Sequence, residues 1–218
     1  MPELQHLLRV LSGEAAIDIK QLVRMLGNGR LNDSEAYDLA TTAYPGIMDA
    51  YLAGAADLTA TWYEEQPGGK AKFIAAAADL PPAEKLGASA RWALSQADPI
   101  NALKGSGIRA VFDSSRRTVI QNAAREGVRW VRYASSTACG FCRMLATRGA
   151  VYSSEANALR AHDHCHCMAV PDRDGSYEPP DYVERWIRDY ESAAASGAVT
   201  PGQIAYAMET AERARQAG

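Results

Sequence analysis

A chain of 218 residues with 47% hydrophobic and 22% charged residues has the balance of a globular protein of one or two domains, which sets aside disorder and collagen-like repeats. The net charge of -3 excludes a general polyanion binder and leaves room for a local basic patch. No apolar stretch approaches the ~20 residues of a membrane span. The start, MPELQHLLRV, lacks the basic region and apolar run of a signal peptide, so the sequence reads as a protein that stays in the cytoplasm where it is made.

The fold class expected is α+β and mostly helical. Residues 1–104 read as a helical region, because Ala and Leu dominate and Leu4, Leu7, Leu8 and Leu11 recur at three- and four-residue steps. A second helix is predicted from a cap at Asn32, Asp33 or Ser34, through a kink at Pro45, to about Tyr63, with Pro67-Gly68-Gly69 ending it. Leu80-Pro81-Pro82 precedes a short helix around Arg91 to Ser95, which Asp98-Pro99 closes. From Ile108 to Glu126 the apolar residues fit one helical face, and Gly127 is a stop signal. Val128 to Tyr133 reads as a strand, with Val128, Trp130 and Arg132 on one side. Ala150-Val151-Tyr152 and Met168-Ala169-Val170 are two further strand candidates. Together, residues 105–175 suggest a small β-containing module, and residues 176–218 suggest two closing helices, from about Asp181 to Ala195 and from Pro201 to about Gln216.

All four cysteines and three of the four histidines fall between positions 139 and 167, a clustering that needs a local cause. In a cytoplasmic chain a metal explains it better than a Cys139/Cys142 disulfide or a set of free thiols. Cys139-Gly140-Phe141-Cys142 has the spacing that turns two sulfurs toward one ion. The other half of a tetrahedron must come from His162, His164, Cys165, His166 and Cys167, five candidates for two positions. If Cys165 to Val170 is extended, Cys165 and Cys167 share a face and His166 points away; His164 and His166 read as surface residues. The candidate ligands are therefore Cys139, Cys142, His162, Cys165 and Cys167, and structural zinc fits thiolate and imidazole donors best.

Enzyme classes find little support. A zinc deaminase needs a His-x-Glu ahead of its Cys pair, and none is present. His162-Asp163-His164-Cys165-His166 is similar to the centre of His-Asn-His nucleases, yet no second Cys-x-x-Cys follows Cys167. No phosphate-cradling or dinucleotide fingerprint occurs, and no small-molecule substrate is expected. Between Lys104 and Tyr133, seven cations face only Asp113 and Glu126. Either Arg109, Asp113 and Arg117 pair along a solvated helix, or Arg109, Arg116, Arg117, Arg125 and Arg129 touch a partner or DNA. In both cases replacing Arg116 and Arg117 is expected to cost little stability.

One family resemblance gathers these motifs. Arg116-Arg117-Thr118 on a helix, Gly127-Val128-Arg129-Trp130, Cys139-Gly140-Phe141-Cys142 and His162-Asp163-His164-Cys165-His166-Cys167, in this order, resemble the carboxy-terminal domain of phage Mu F-like (MuF) head morphogenesis proteins. The wording resembles versions carried by phages of actinobacteria. The resemblance covers roughly residues 105–172, and it departs where the family has Pro-Asn and this chain has Asp163-His164. It implies a minor capsid protein inside the virion head. It also implies association with the portal protein, the inner capsid surface and packaged DNA, after assembly in the host cytoplasm. A zinc-dependent nucleic-acid-binding protein or a His-Asn-His-like nuclease is the alternative.

Overall fold

The computed structural model describes residues 2–69, 73–150, 161–175 and 177–217. Seven helices and two strands follow one another among them. In chain order they are α1 (Pro2–Leu26), α2 (Asp33–Glu65), α3 (Ala83–Leu94), α4 (Pro99–Glu126), β1 (Arg129–Tyr133), α5 (Gly140–Ala146), β2 (Met168–Asp172), α6 (Tyr182–Ala195) and α7 (Pro201–Ala217). The fold is α+β and mostly helical. No helix among the described residues is long and apolar enough to cross a membrane.

Local chemistry sets the helix ends. Asn32 caps α2 in a reciprocal box, its side chain accepting from the Glu35 amide at 3.0 Å while Glu35 accepts from the Asn32 amide at 2.9 Å. The helix then runs unbroken past Pro45 to Glu65. Asp98-Pro99 does not close α3; it opens α4. The Asp98 carboxylate accepts from the Asn101 amide, and proline is harmless in the first turn, where its missing N–H has no partner to lose. Helix α4 is accordingly longer than expected, and the predicted boundary at 104/105 falls inside it. Gly127 ends it in the left-handed region at φ 76°, a backbone shape glycine adopts without cost.

Helices α1, α2 and α4 share one core, in which Leu8, Ile19, Met48, Leu52, Val111 and Phe112 are fully buried. Helix α4 also carries the sheet, so the same core continues into Trp130, Val131 and Val170. The strands are antiparallel with Val131 opposite Val170. Of the third strand candidate, Val151 and Tyr152 lie outside the described residues. A second, smaller core joins Met144 and Leu145 of α5 to Val183 and Trp186 of α6 and Ile204 and Met208 of α7.

One polar knot sits inside. Glu126 accepts from the Tyr63 hydroxyl at 2.7 Å and from Arg173 Nε at 3.0 Å. The same guanidinium donates to the Gln66 and Tyr63 carbonyl groups, so it satisfies the open end of α2. It thereby ties α2, the end of α4 and the chain leaving β2 to one point.

Candidate metal centre

Cys139 stands immediately before α5 and Cys142 in its first turn, so the helix start fixes the direction of both sulfurs. The facing segment folds back at His164, whose φ of 61° is the single positive value outside glycine among the described residues. Position 164 needs a residue that tolerates the left-handed region; His, like Asn, is among the more permissive side chains there. The turn is held by the His164 amide donating to the Gly105 carbonyl and the Cys165 amide donating to the His162 carbonyl, each at 3.2 Å.

These two segments bring all five predicted ligands together. Cys139, Cys142 and His162 place one donor atom each within 4.8 Å of one another, and so do Cys142, Cys165 and Cys167. Cys142 belongs to both sets. Its sulfur is 3.3 Å from that of Cys165, which lies 2.9 Å from that of Cys167. His162 turns Nε2 to the Cys139 sulfur at 2.8 Å while Nδ1 lies 2.7 Å from the Asp163 carbonyl. The network therefore assigns the proton to Nδ1 and leaves Nε2 as the donor toward an ion, a common arrangement for metal-binding histidine. As expected, Cys165 and Cys167 share a face, while His166 lies edge-on against Phe112. No cysteine is in a disulfide.

The donor set suits a metal ion. Tetrahedral thiolate bonds of about 2.3 Å put neighbouring donors about 3.8 Å apart, a spacing these sulfurs reach with shifts of about 1 Å. Without a cation the sulfurs must divide the protons among themselves. The bond from Cys142, then that from His162, lowers the Cys139 thiol to about 4. Hydrogen bonding to Cys139 raises His162 to about 9 and pushes Cys142 up. Cys165 gains thiolate character from Cys142, but its bond to Cys167 and burial carry it to about 11. Cys167 is held well below its ordinary value by Cys142 and Cys165, with the charges of Arg132 and Arg116 adding to this. Negative charge thus falls on Cys139 and Cys167, and the protons fall on His162, Cys142 and Cys165, donors that could instead hold a cation.

The arginines correct the surface expectation. Arg116 is fully buried. It donates to the Cys167 carbonyl at 2.5 Å, reaches the Cys167 sulfur at 3.8 Å and pairs with Asp113 at 2.5 Å. It is not available to DNA, and in place of the expected pairing of Arg109 with Asp113, Asp113 turns to Arg116 and Arg109 pairs with Asp163 at 3.2 Å. Arg125 donates to Asn122 and the Ile74 carbonyl and lies over Phe73. Arg117 is half-buried and Arg129 exposed.

Sequence reasoning missed Arg132, which is buried to 1% and donates to the Cys167 sulfur at 2.6 Å. A signal was present: it shares a strand face with Val128 and Trp130, where an arginine needs a buried anion. Two guanidinium groups therefore back the cluster from inside. On the outer side a cavity of about 280 Å³ opens beside the donors, edged by Arg9, Thr137, His164 and His166.

Helix α7 closes over the Cys139–Cys142 knuckle. The Gly140 amide donates to Glu209 at 2.7 Å. A Cβ at Gly140 would collide with the Ala205 carbonyl oxygen, so glycine is required for this approach.

No curated protein and no solved structure matches the chain. A family model described as VG15 protein matches residues 1–193, from α1 through most of α6, so that the three-helix core, the sheet and every donor of the cluster fall inside it. The chain belongs to the VG15 protein family, a family of phage proteins.

Proposed function

We propose that the chain is a MuF-type minor capsid protein, held inside the virion head at the portal, in which a structural zinc ion fixes the junction between the helical core and α5. The reading rests on the order of motifs from Arg116 to Cys167, and membership of a phage family agrees with it. The observation that carries it is the engagement of the donors. Every one is bonded to another donor, two buried arginines offset the thiolate charge, and α7 packs on the knuckle. Such a centre holds a fold together and leaves the long helices to meet partners.

Cys139, Cys142, His162 and Cys165 would hold the ion. Cys167, bonded to Arg132, would remain beside it as a thiolate. When bound, the ion supplies folding energy to a segment whose few apolar residues cannot offset chain entropy. Arg132 and Arg116 keep the sulfur charge solvated where water is excluded. The protein is not an enzyme in this reading. The test is to assemble heads with and without it and to measure metal and copy number. About one zinc per chain, few copies per head and crosslinks to the portal protein are expected. Absence from purified heads would defeat the proposal.

The cavity beside His164 and His166 favours one second reading, a metal-dependent nuclease. Cleavage of plasmid DNA that disappears in His164→Ala would establish it; no cleavage with magnesium, manganese or zinc is expected.

A further inference from the structure

The cluster offers five donors to an ion that takes four, and the sulfur left over in the assignment above is that of Cys167. Its surroundings differ from those of an ordinary buried thiol. Arg132 Nη2 stands 2.6 Å from the Cys167 Sγ and Arg116 Nη1 stands 3.8 Å from it. Guanidinium neighbours keep a cysteine as its thiolate, the nucleophilic form. A ligand sulfur shares its charge with the metal, whereas Cys167 keeps its own. A second sulfur, that of Cys165, lies 2.9 Å away. Although only 3% exposed, Cys167 is one of the residues that line the cavity of about 280 Å³. A water molecule takes about 30 Å³, so a cavity of this size admits a reagent as small as hydrogen peroxide.

We propose that Cys167 is an oxidation site, at which a hydroperoxide is reduced and Cys165 is drawn out of the metal centre into a Cys165–Cys167 disulfide. The Cys167 thiolate attacks one oxygen of hydrogen peroxide. The S–O bond forms as the O–O bond breaks, and the departing hydroxide takes a proton from solvent to become water. Cys165, deprotonated as a ligand, then attacks the sulfur of the Cys167 sulfenic acid. The S–S bond forms, the S–O bond breaks, and a second hydroxide leaves and is protonated. The two sulfurs together give up two electrons, and the peroxide becomes two waters. Only three of the four assigned donors then remain for an ion. Residues two apart in an extended chain are separated by about 6.4–6.8 Å, the upper end of what a disulfide spans, and bonds under such strain are readily reduced. The change is therefore reversible by thiols, and the centre sheds its metal on oxidation and regains it after reduction. The proposal rests on the ligand assignment of the preceding reading and not on where in the virion the chain sits. Cys139 is less buried than Cys167, so exposure alone would make Cys139 the first to react. The two guanidinium groups reverse that order.

Zinc-loaded full-length protein is treated near neutral pH with dilute hydrogen peroxide in the presence of a chromogenic zinc chelator, and a parallel sample includes a cyclic diketone that traps sulfenic acids. About one zinc per chain should be released for each peroxide consumed, and the trap should label Cys167 first. The tryptic peptide 161–173, which holds both cysteines, should become lighter by two hydrogen atoms and recover its mass with dithiothreitol. Cys167→Ser should keep its zinc and release it about tenfold more slowly or slower still, since the remaining sulfurs are engaged as ligands. Equal release from Cys167→Ser and wild type, first labelling at Cys139, a Cys139–Cys142 bridge, or oxidised protein that keeps its zinc would each overturn the proposal. A Cys167→Ser variant without zinc before any peroxide would defeat the ligand assignment instead. The trap on wild-type protein then still decides, because label at Cys167 upholds the oxidation site and label elsewhere removes it.

Discussion

Replacing Arg116 with Ala separates a buried counter-charge from a surface arginine. The side chain is wholly buried and makes two 2.5 Å interactions, with the Cys167 carbonyl and with Asp113. Removing it leaves the Cys167 carbonyl without this donor, deprives the neighbouring sulfur of one of two guanidinium charges and opens a cavity. A broken buried ion pair costs about 3–5 kcal/mol. Asp113 is 27% exposed and recovers part of its solvation, which brings the expected loss to about 3–4 kcal/mol. Arg129→Ala, on the exposed end of β1, should stay within about 0.5 kcal/mol. Urea unfolding at a fixed, saturating zinc concentration reads the difference. With a slope of about 2–3 kcal/mol per molar, the midpoint of the Arg116 variant should fall by about 1–2 M, with little change in slope. A midpoint equal to that of Arg129→Ala would refute the reasoning and return Arg116 to the surface. Arg116→Met, which keeps much of the volume, should fall between the two.

Cys142→Ser and Cys165→Ser should abolish stoichiometric zinc, whereas Cys167→Ser should keep about one zinc per chain by elemental analysis and lose stability instead; loss of metal in Cys167→Ser would place that sulfur among the ligands. Zinc affinity should rise with pH. The ion displaces protons from His162, raised to about 9, from Cys165, raised to about 11, and from Cys142, so binding weakens as pH falls and these sites fill with protons. Chelator competition between about pH 6 and 8 should show a steep gain in affinity with each pH unit, and a flat profile would contradict the proton count. Gly140→Ala should detach α7, seen as faster amide exchange across residues 201–217; unchanged exchange would show that the Ala205 approach is not tight.

The sequence disclosed what depends on spacing. Cys139 and Cys142 are two residues apart and Cys165 and Cys167 alternate, so any fold that makes the first pair a turn and the second an extended segment gives two pairs of aligned sulfurs. The strand from Arg129 and the glycine stop at Gly127 are legible for the same reason, since each is a local preference. Asp98-Pro99 misled because the same dipeptide can follow one helix or begin the next, and tertiary packing against α1 and α2 decides which. Arg116 misled for a different reason. A cationic stretch looks solvated when the acceptors that bury one of its arginines are a carbonyl and a sulfur 51 residues further on, and nothing local to α4 announces Cys167.

The docking of α7 on Gly140 bears on the order in which the protein is made. Cys139 and Cys142 emerge from the ribosome well before Glu209, which follows Cys142 by 67 residues. At about 5–20 residues per second the interval is about 3–13 s. Throughout that time the knuckle has no helix across it, and His162, Cys165 and Cys167 join it before Ala205 and Glu209 exist. The ligand set can therefore be completed and loaded while its outer face is open to metal and chaperones. The last helix then arrives as a latch on the Gly140 side of the knuckle, while the cavity beside the donors stays open.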